Sequence, residues 1–153
     1  IYSDIVCELE DGKNVAMLTI GDPSVYSTYM YIHKRVMQVG FTAVMISGVP
    51  SFCAAAARLG ISLGEMMDEI HIIPASYDVG DTVGYGGTCV YMKSGKKLAE
   101  LIEVLRTGDA IRKKKMTVYG VTNCGMESER VYRGLDELTE AKGYLTIVIV
   151  KYS

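Results

Sequence analysis

The chain has 153 residues, of which 49% are hydrophobic and 22% charged, and this composition predicts a globular protein rather than a disordered, collagenous or coiled-coil one. Sixteen Lys and Arg against 18 Asp and Glu leave a net charge of −2, so overall charge favours a small-molecule partner over nucleic acid or an anionic membrane. Neither an 18-residue apolar run nor a signal-peptide pattern occurs, so we expect a soluble, cytoplasmic protein.

The first half of the chain alternates predicted helices and strands. Residues 1–10 resemble the end of a helix, the apolar run 14–20 predicts a buried strand, and residues 27–39 predict a helix with apolar residues every three or four positions. A strand at 41–46 and a helix at 51–59 follow. Because strands that alternate with helices pair in parallel, we expect a parallel α/β sheet here.

The next stretch predicts a change of lobe. Residues 64–70 are expected to form a short helix and 71–74 a short strand, and residues 75–87 contain several glycines and no periodicity. Long stretches of this kind often connect compact units. We therefore predict an N-terminal lobe at 1–74, a linker at 75–87 and a C-terminal lobe at 88–153.

The C-terminal lobe is expected to be a mixed α/β structure. Its helix is predicted at 96–106, where Leu98, Leu101, Ile102 and Leu105 recur at helical spacing. Strands are predicted at 88–92, 116–121, 130–135 and 145–150, and a helix is the alternative at 130–135.

Turns at the carboxyl ends of strands are the candidate binding sites, because open α/β sheets bind ligands there. One such turn follows the first predicted strand at Gly21, Asp22 and Pro23, and another runs from Ser47 to Ser51 into a helix. Each alone is typical of an ordinary strand-to-helix connection. No dinucleotide fingerprint, P-loop or metal-ligand spacing occurs, and the four cysteines show no C-x-x-C pattern, so neither a metal site nor a disulfide framework is predicted.

Four segments in this order resemble the tetrapyrrole (corrin/porphyrin) methylases. They are residues 21–28 (GDPSVYST), 48–61 (GVPSFCAAAARLGI), 90–93 (VYMK) and 124–132 (CGMESERVY). Within that family the segments are most similar to the C-20 methyltransferases of precorrin-2 or cobalt-precorrin-2 in cobalamin synthesis. The resemblance implies a two-lobed α/β enzyme, expected to be a homodimer, with S-adenosylmethionine bound between the lobes and a tetrapyrrole as its substrate.

The resemblance also implies which residues contact the cofactor. Turn backbone and small polar groups would hold its polar ends, while Val25 and Met92 would provide apolar walls. Tyr26 is the catalytic candidate, expected to orient the macrocycle or to accept a proton through water, with a plain packing role as the alternative. The implied cofactor contacts are Gly21, Asp22, Val25, Ser27, Thr28, Pro50, Ser51, Met92 and Gly125.

Two departures from the family pattern shape the expectations. Ser47 stands where the family commonly has proline, and we expect this to loosen the second turn. No strand with a glycine- and proline-rich loop precedes Ile1, so we expect a fragment that is inactive or badly impaired by itself. Open alternatives are methylation of another corrin intermediate, a macromolecular substrate as in diphthine synthases or ribosomal-RNA ribose methyltransferases, and a non-catalytic fragment that only binds cofactor.

Overall fold

A computed structural model describes residues 1–76, 79–112 and 115–152 and confirms the α/β class. The chain divides into two compact units, Ile1–Pro50 and Ser51–Ser153. The domain boundaries expected from the sequence stay a prediction, and residues 77 and 78 of the expected linker lie outside the described residues. None of the described helices is long and apolar enough to cross a membrane.

The first unit contains two helices, α1 (Tyr2–Glu10) and α2 (Tyr29–Gln38), as the sequence predicts. The guanidinium of Arg35 on α2 lies 3.8 Å from the centre of the Tyr2 ring on α1, a cation–π contact that joins the helices. Val36 lies on the apolar side of α2 and is buried.

The two strands predicted for the first unit are wrong. Residues 13–19 and 41–50 have no regular secondary structure and join no sheet in the described chain, so the predicted parallel sheet is not formed there. Ile20 and Ile46 are more than 80% exposed. An apolar run predicts a segment that favours burial, but a strand also needs a hydrogen-bonding neighbour, which the segment itself does not supply.

The second unit is built on one five-stranded mixed sheet in the order β1-β2-β5-β3-β4. β1 and β2 pair in parallel, and every other neighbouring pair is antiparallel. The strands are β1 (Ile70–Pro74), β2 (Thr88–Met92), β3 (Met116–Thr122), β4 (Arg130–Arg133) and β5 (Thr146–Tyr152). All five lie where the sequence predicts strands. The helix predicted at 64–70 is not formed.

Helices cover both faces of this sheet. α4 (Leu98–Arg112) and the short α5 (Leu135–Leu138) pack on the face that carries Tyr91 and Val148. α3 (Ser51–Leu59) contacts β3 and β5 and belongs to the other face. Because successive strand residues point to opposite faces, the central strands are buried along most of their length. Short 3-10 helices occur at Gly80–Gly84 and Ser94–Lys96.

Candidate functional site

The buried carboxylate of Asp22 ties together the two predicted turns of the first unit. One oxygen, Oδ1, accepts hydrogen bonds from the backbone N–H of Ser24, at 2.8 Å, and from the Ser24 hydroxyl. The other, Oδ2, accepts from the Ser47 hydroxyl at 2.7 Å and from the Gly48 N–H at 3.0 Å. A carboxylate has about four acceptor positions, so the described turn donors occupy all of them.

These donors hold the pKa of the Asp22 carboxyl well below its usual range. The Ser24 hydroxyl has the largest effect, followed by the Ser47 hydroxyl and the backbone amides of Ser24 and Gly48. Partial burial opposes them by favouring the neutral form, but to a smaller extent. Asp22 is therefore a carboxylate at neutral pH, and its oxygens accept hydrogen bonds from groups of the two turns.

The same two turns approach each other through their backbones. A Cβ at position 48 would overlap the carbonyl oxygen of Gly21, so only glycine fits at Gly48 without moving the opposite turn. Gly21 itself has φ +85°, a left-handed conformation that favours glycine. Ser47 was expected to loosen this turn. Instead its hydroxyl fastens the turn to Asp22, a hydrogen bond that a proline side chain could not donate.

The remaining candidates of the first turn lead into α2. The Val25 N–H donates to the Asp22 carbonyl at 3.2 Å, and the Ser27 hydroxyl accepts from the Tyr29 N–H at 3.2 Å at the helix start. Thr28 is the N-terminal cap residue and makes no side-chain capping bond. Tyr26 has φ +49° and is 48% exposed.

A cavity of about 630 Å³ lies within the first unit beside these turns. Gly21, Pro23 and Gly48 border it, and the rest of its wall comes from α1, α2 and the two segments without regular structure. The volume is in the range of small-ligand sites, and the wall combines apolar side chains with turn backbone. The two turns can therefore present polar backbone groups to a small molecule.

In the second unit, the predicted contacts Met92 and Gly125 lie at one edge of the sheet. Met92 ends β2, and Gly125 follows β3, with β5 running antiparallel between the two strands. Two strand spacings, about 10 Å, separate β2 from β3. Met92 is buried, whereas Gly125 is exposed. Ser51 begins α3 in this unit, and Pro50 ends the first unit.

Sequence reasoning missed two residues that hold the loop of Gly125. The Glu129 carboxylate accepts a hydrogen bond from the Gly125 N–H at 2.7 Å and pairs with the Nε of Arg58 on α3. These contacts lower the pKa of Glu129, the Gly125 amide most and Arg58 next. The 124–132 segment supported the family resemblance, but nothing in its spacing indicates a partner 71 residues away.

Comparisons with known proteins agree with the fold and the motifs. The family model of the Tetrapyrrole (Corrin/Porphyrin) Methylases matches residues 2–139. The probable cobalt-precorrin-2 C(20)-methyltransferase of Methanocaldococcus jannaschii is 34% identical over 93% of this chain, which spans 60% of that relative's length. The cobalt-precorrin-2 C(20)-methyltransferase of Salmonella typhimurium is 21% identical over 98% of this chain and 63% of its own.

Solved structures show the same fold at low sequence identity. A cobalt precorrin-4 methyltransferase of cobalamin biosynthesis superposes with a TM-score of 0.82 at 16% identity, over 98% of this chain and 69% of its own. The uroporphyrin-III C-methyl transferase of Thermus thermophilus, solved in complex with S-adenyl homocysteine, gives a TM-score of 0.76 at 15% identity, over 98% of this chain and 71% of its own.

Proposed function

Because the chain belongs to the tetrapyrrole (corrin/porphyrin) methylases, we propose that the whole protein transfers a methyl group from S-adenosylmethionine to C-20 of precorrin-2 or cobalt-precorrin-2 in cobalamin biosynthesis. The similarity to relatives with that name supports the substrate. The observation that supports cofactor binding is the pair of turns that Asp22 ties together beside a cavity of ligand size.

The residues around the turns fit a cofactor with polar ends. Gly21 leaves backbone without side-chain cover at the cavity wall, which allows close approach of a ligand, and Gly48 allows the second turn to lie directly against it. We assign the cofactor contacts of the first unit to Gly21, Val25, Thr28 and Pro50. In the second unit we assign them to Ser51, Met92 and Gly125.

Asp22 and Ser27 have a different part in this proposal. All four acceptor positions of Asp22 are used within the two turns, and the Ser27 hydroxyl is bonded to the start of α2. Both residues therefore act by positioning the turn backbone, and Asp22 supplies no free acceptor to a bound molecule. This revises the sequence expectation that each contacts the cofactor directly.

When bound, S-adenosylmethionine supplies an activated methyl group on a sulfonium, which leaves as the neutral thioether. Transfer to an electron-rich ring carbon depends on the alignment of nucleophile, methyl and leaving sulfur more than on a strong acid or base. A rigid pair of turns serves that requirement because small displacements of reacting atoms slow a reaction strongly. Tyr26, half exposed beside the turn, is the candidate to orient the macrocycle.

Methyl transfer by the full-length protein tests the substrate directly. The enzyme would be incubated with methyl-labelled S-adenosylmethionine and either precorrin-2 or cobalt-precorrin-2, and the labelled carbon located by NMR. We expect label at C-20, with S-adenosylhomocysteine and the proton that the methyl group replaces at C-20 as the other products. Label at another ring carbon would favour a different corrin methylase, and absence of label from both macrocycles would contradict the proposal.

A further inference from the structure

The loop between β3 and β4 has an unusual backbone that its own contacts maintain. Asn123 and Gly125 have φ of +52° and +80°, so two residues of a short loop adopt left-handed conformations. The Asn123 N–H donates to the Leu145 carbonyl at 3.0 Å, and its side-chain amide donates to the Ser128 hydroxyl at 2.9 Å. These bonds anchor the start of the loop, but Asn123 leaves the Gly125 amide to another partner.

Glu129 is that partner, and it connects the loop to a separate helix. Its Oε2 accepts the Gly125 N–H at 2.7 Å while its Oε1 pairs with Nε of Arg58. Arg58 lies in the last turn of α3, and Ser51 begins the same helix about 10 Å away at 1.5 Å per residue. One carboxylate thus couples the loop of Gly125 to the helix that starts with Ser51.

The ion pair is open to solvent on its Arg58 side, while most of the Glu129 side chain is covered. The Arg58 side chain is 58% exposed, and Glu129 is 16% exposed. Because the guanidinium of Arg58 is open to water, its ionic contact with Glu129 contributes little to folding stability. The directional bond from Glu129 to a left-handed glycine amide instead fixes where the exposed loop backbone lies. Its loss should therefore change loop geometry more than the melting temperature.

We propose that Glu129 is a positioning residue for methyl transfer, which holds the Gly125 loop against α3 with Arg58 as its ionic partner. The inference rests on the proposed function, because it takes the Gly125 loop as a cofactor contact. It adds that the Gly125 N–H is already bonded to Glu129, so the loop offers the cofactor its carbonyl and the open side of Gly125, where a Cβ would meet nothing within 4 Å.

The test is titration of the full-length protein with S-adenosylhomocysteine, with melting temperature measured on the same samples. Glu129→Ala removes both contacts, and we expect the dissociation constant to rise about tenfold, equivalent to 1.4 kcal/mol. Glu129→Gln keeps one acceptor and should give a smaller loss. Arg58→Lys should retain more affinity than Arg58→Met, because the lysine preserves the charge opposite Glu129.

Glu127→Gln is the matched control, since Glu127 is an exposed carboxylate of the same loop with no hydrogen bond or ion pair to the described residues. It should bind like wild type. Kinetics give a second readout: Glu129→Ala should raise the KM for S-adenosylmethionine more than it lowers kcat. If Glu129→Ala does not fold, Glu129→Gln and Arg58→Met decide the same question.

Three outcomes would overturn the proposal. Affinity within twofold of wild type in Glu129→Ala would show that the carboxylate does not position the loop. Affinity losses that simply follow the melting temperature across the variants would reduce Glu129 to a structural role. Absence of S-adenosylhomocysteine binding by folded wild type would contradict both the proposed function and this inference. The other two outcomes would contradict this inference alone.

Discussion

Two carboxylates hold glycine-containing turns by accepting their backbone N–H groups, Asp22 in the first unit and Glu129 in the second. Their surroundings differ. Asp22 is buried, and its donors among the described residues are uncharged, two hydroxyls and two backbone amides. Glu129 is partly exposed and divides its oxygens between one amide and a guanidinium. If the Asp22 carboxylate were removed, the donors of the two turns would lose the acceptor that joins them. Water can partly replace the contacts of Glu129.

The comparison predicts that changes at the buried turn pair are the more severe. Gly48→Ala should have the largest effect, because its Cβ would overlap a backbone carbonyl that no side-chain rotation can move. We expect a loss of about 1–3 kcal/mol in the free energy of unfolding, typical of overpacking, together with loss of cofactor binding. Chemical denaturation measures the first and titration the second.

Gly86→Ala is the control for that change, since a Cβ at Gly86 would meet nothing within 4 Å. It should leave stability and binding close to wild type. If Gly48→Ala were as stable as Gly86→Ala and still bound cofactor, the close approach of the two turns would not be needed.

Asp22→Asn should come next. Asparagine offers one acceptor oxygen, and its amide N–H groups would face donors of the turns, so the two turns should separate. A misplacement near 1 Å can cost roughly 100-fold in rate, and we expect a loss of that order in kcat/KM. Steady-state kinetics on the full-length enzyme measures it. A fall in kcat/KM of less than about threefold would contradict the proposal that Asp22 holds the two turns together.

Acid unfolding tests whether folding lowers the pKa of Asp22. The pKa of Asp22 is lower in the folded chain than in the unfolded one. Its stabilising contribution is therefore complete above the unfolded-state value near 4 and is lost as pH falls toward the folded-state value. Wild type should lose stability more steeply than Asp22→Asn below about pH 4. Parallel slopes for the two proteins would be inconsistent with a lowered pKa.

Ser47→Ala should have a smaller effect, because Asp22 keeps its other three described donors. A single hydrogen bond changes affinity roughly two- to tenfold, and we expect weakening of S-adenosylhomocysteine binding in that range. Ser47→Thr keeps the hydroxyl and should restore affinity. Equal affinity of the alanine and threonine variants would show that the hydroxyl is dispensable.

Tyr26→Phe should have the smallest effect if the ring acts by contact alone. We expect turnover within about twofold of wild type, since an acid–base role would change it by 10²-fold or more. The full-length enzyme at saturating substrate gives the measurement. A hundredfold fall in kcat with unchanged cofactor affinity would make Tyr26 a catalytic residue.

Local patterns were sufficient for most of the second unit. The helical spacing of Leu98, Leu101 and Leu105 predicts α4, and β-prone runs predict the strands, because burial in a complete sheet satisfies both preferences. The apolar runs at 14–20 and 41–46 pair with no strand among the described residues, and no local pattern reveals that. The sequence also predicted both turns while missing what joins them.

The site residues also divide into those that local sequence indicates and those that only the folded chain brings together. Gly21 and Gly48 are visible as turn glycines, but the partnership of Asp22 with Ser47 spans 25 positions. That of Glu129 with Arg58 spans 71. Such contacts follow from the folded path of the chain rather than from spacing. The sequence therefore predicts Asp22 as a ligand contact without indicating that its carboxylate joins the two turns, and it predicts no role for Glu129.

The most direct test of the central claim, that the turn pair held by Asp22 is a cofactor site, is calorimetric titration of the full-length protein and its Asp22→Asn variant with S-adenosylhomocysteine. We predict a dissociation constant of about 1 μM for wild type, near −8 kcal/mol, and strong weakening in the variant. Equal affinity of the two proteins, or no binding by folded wild type, would contradict the account.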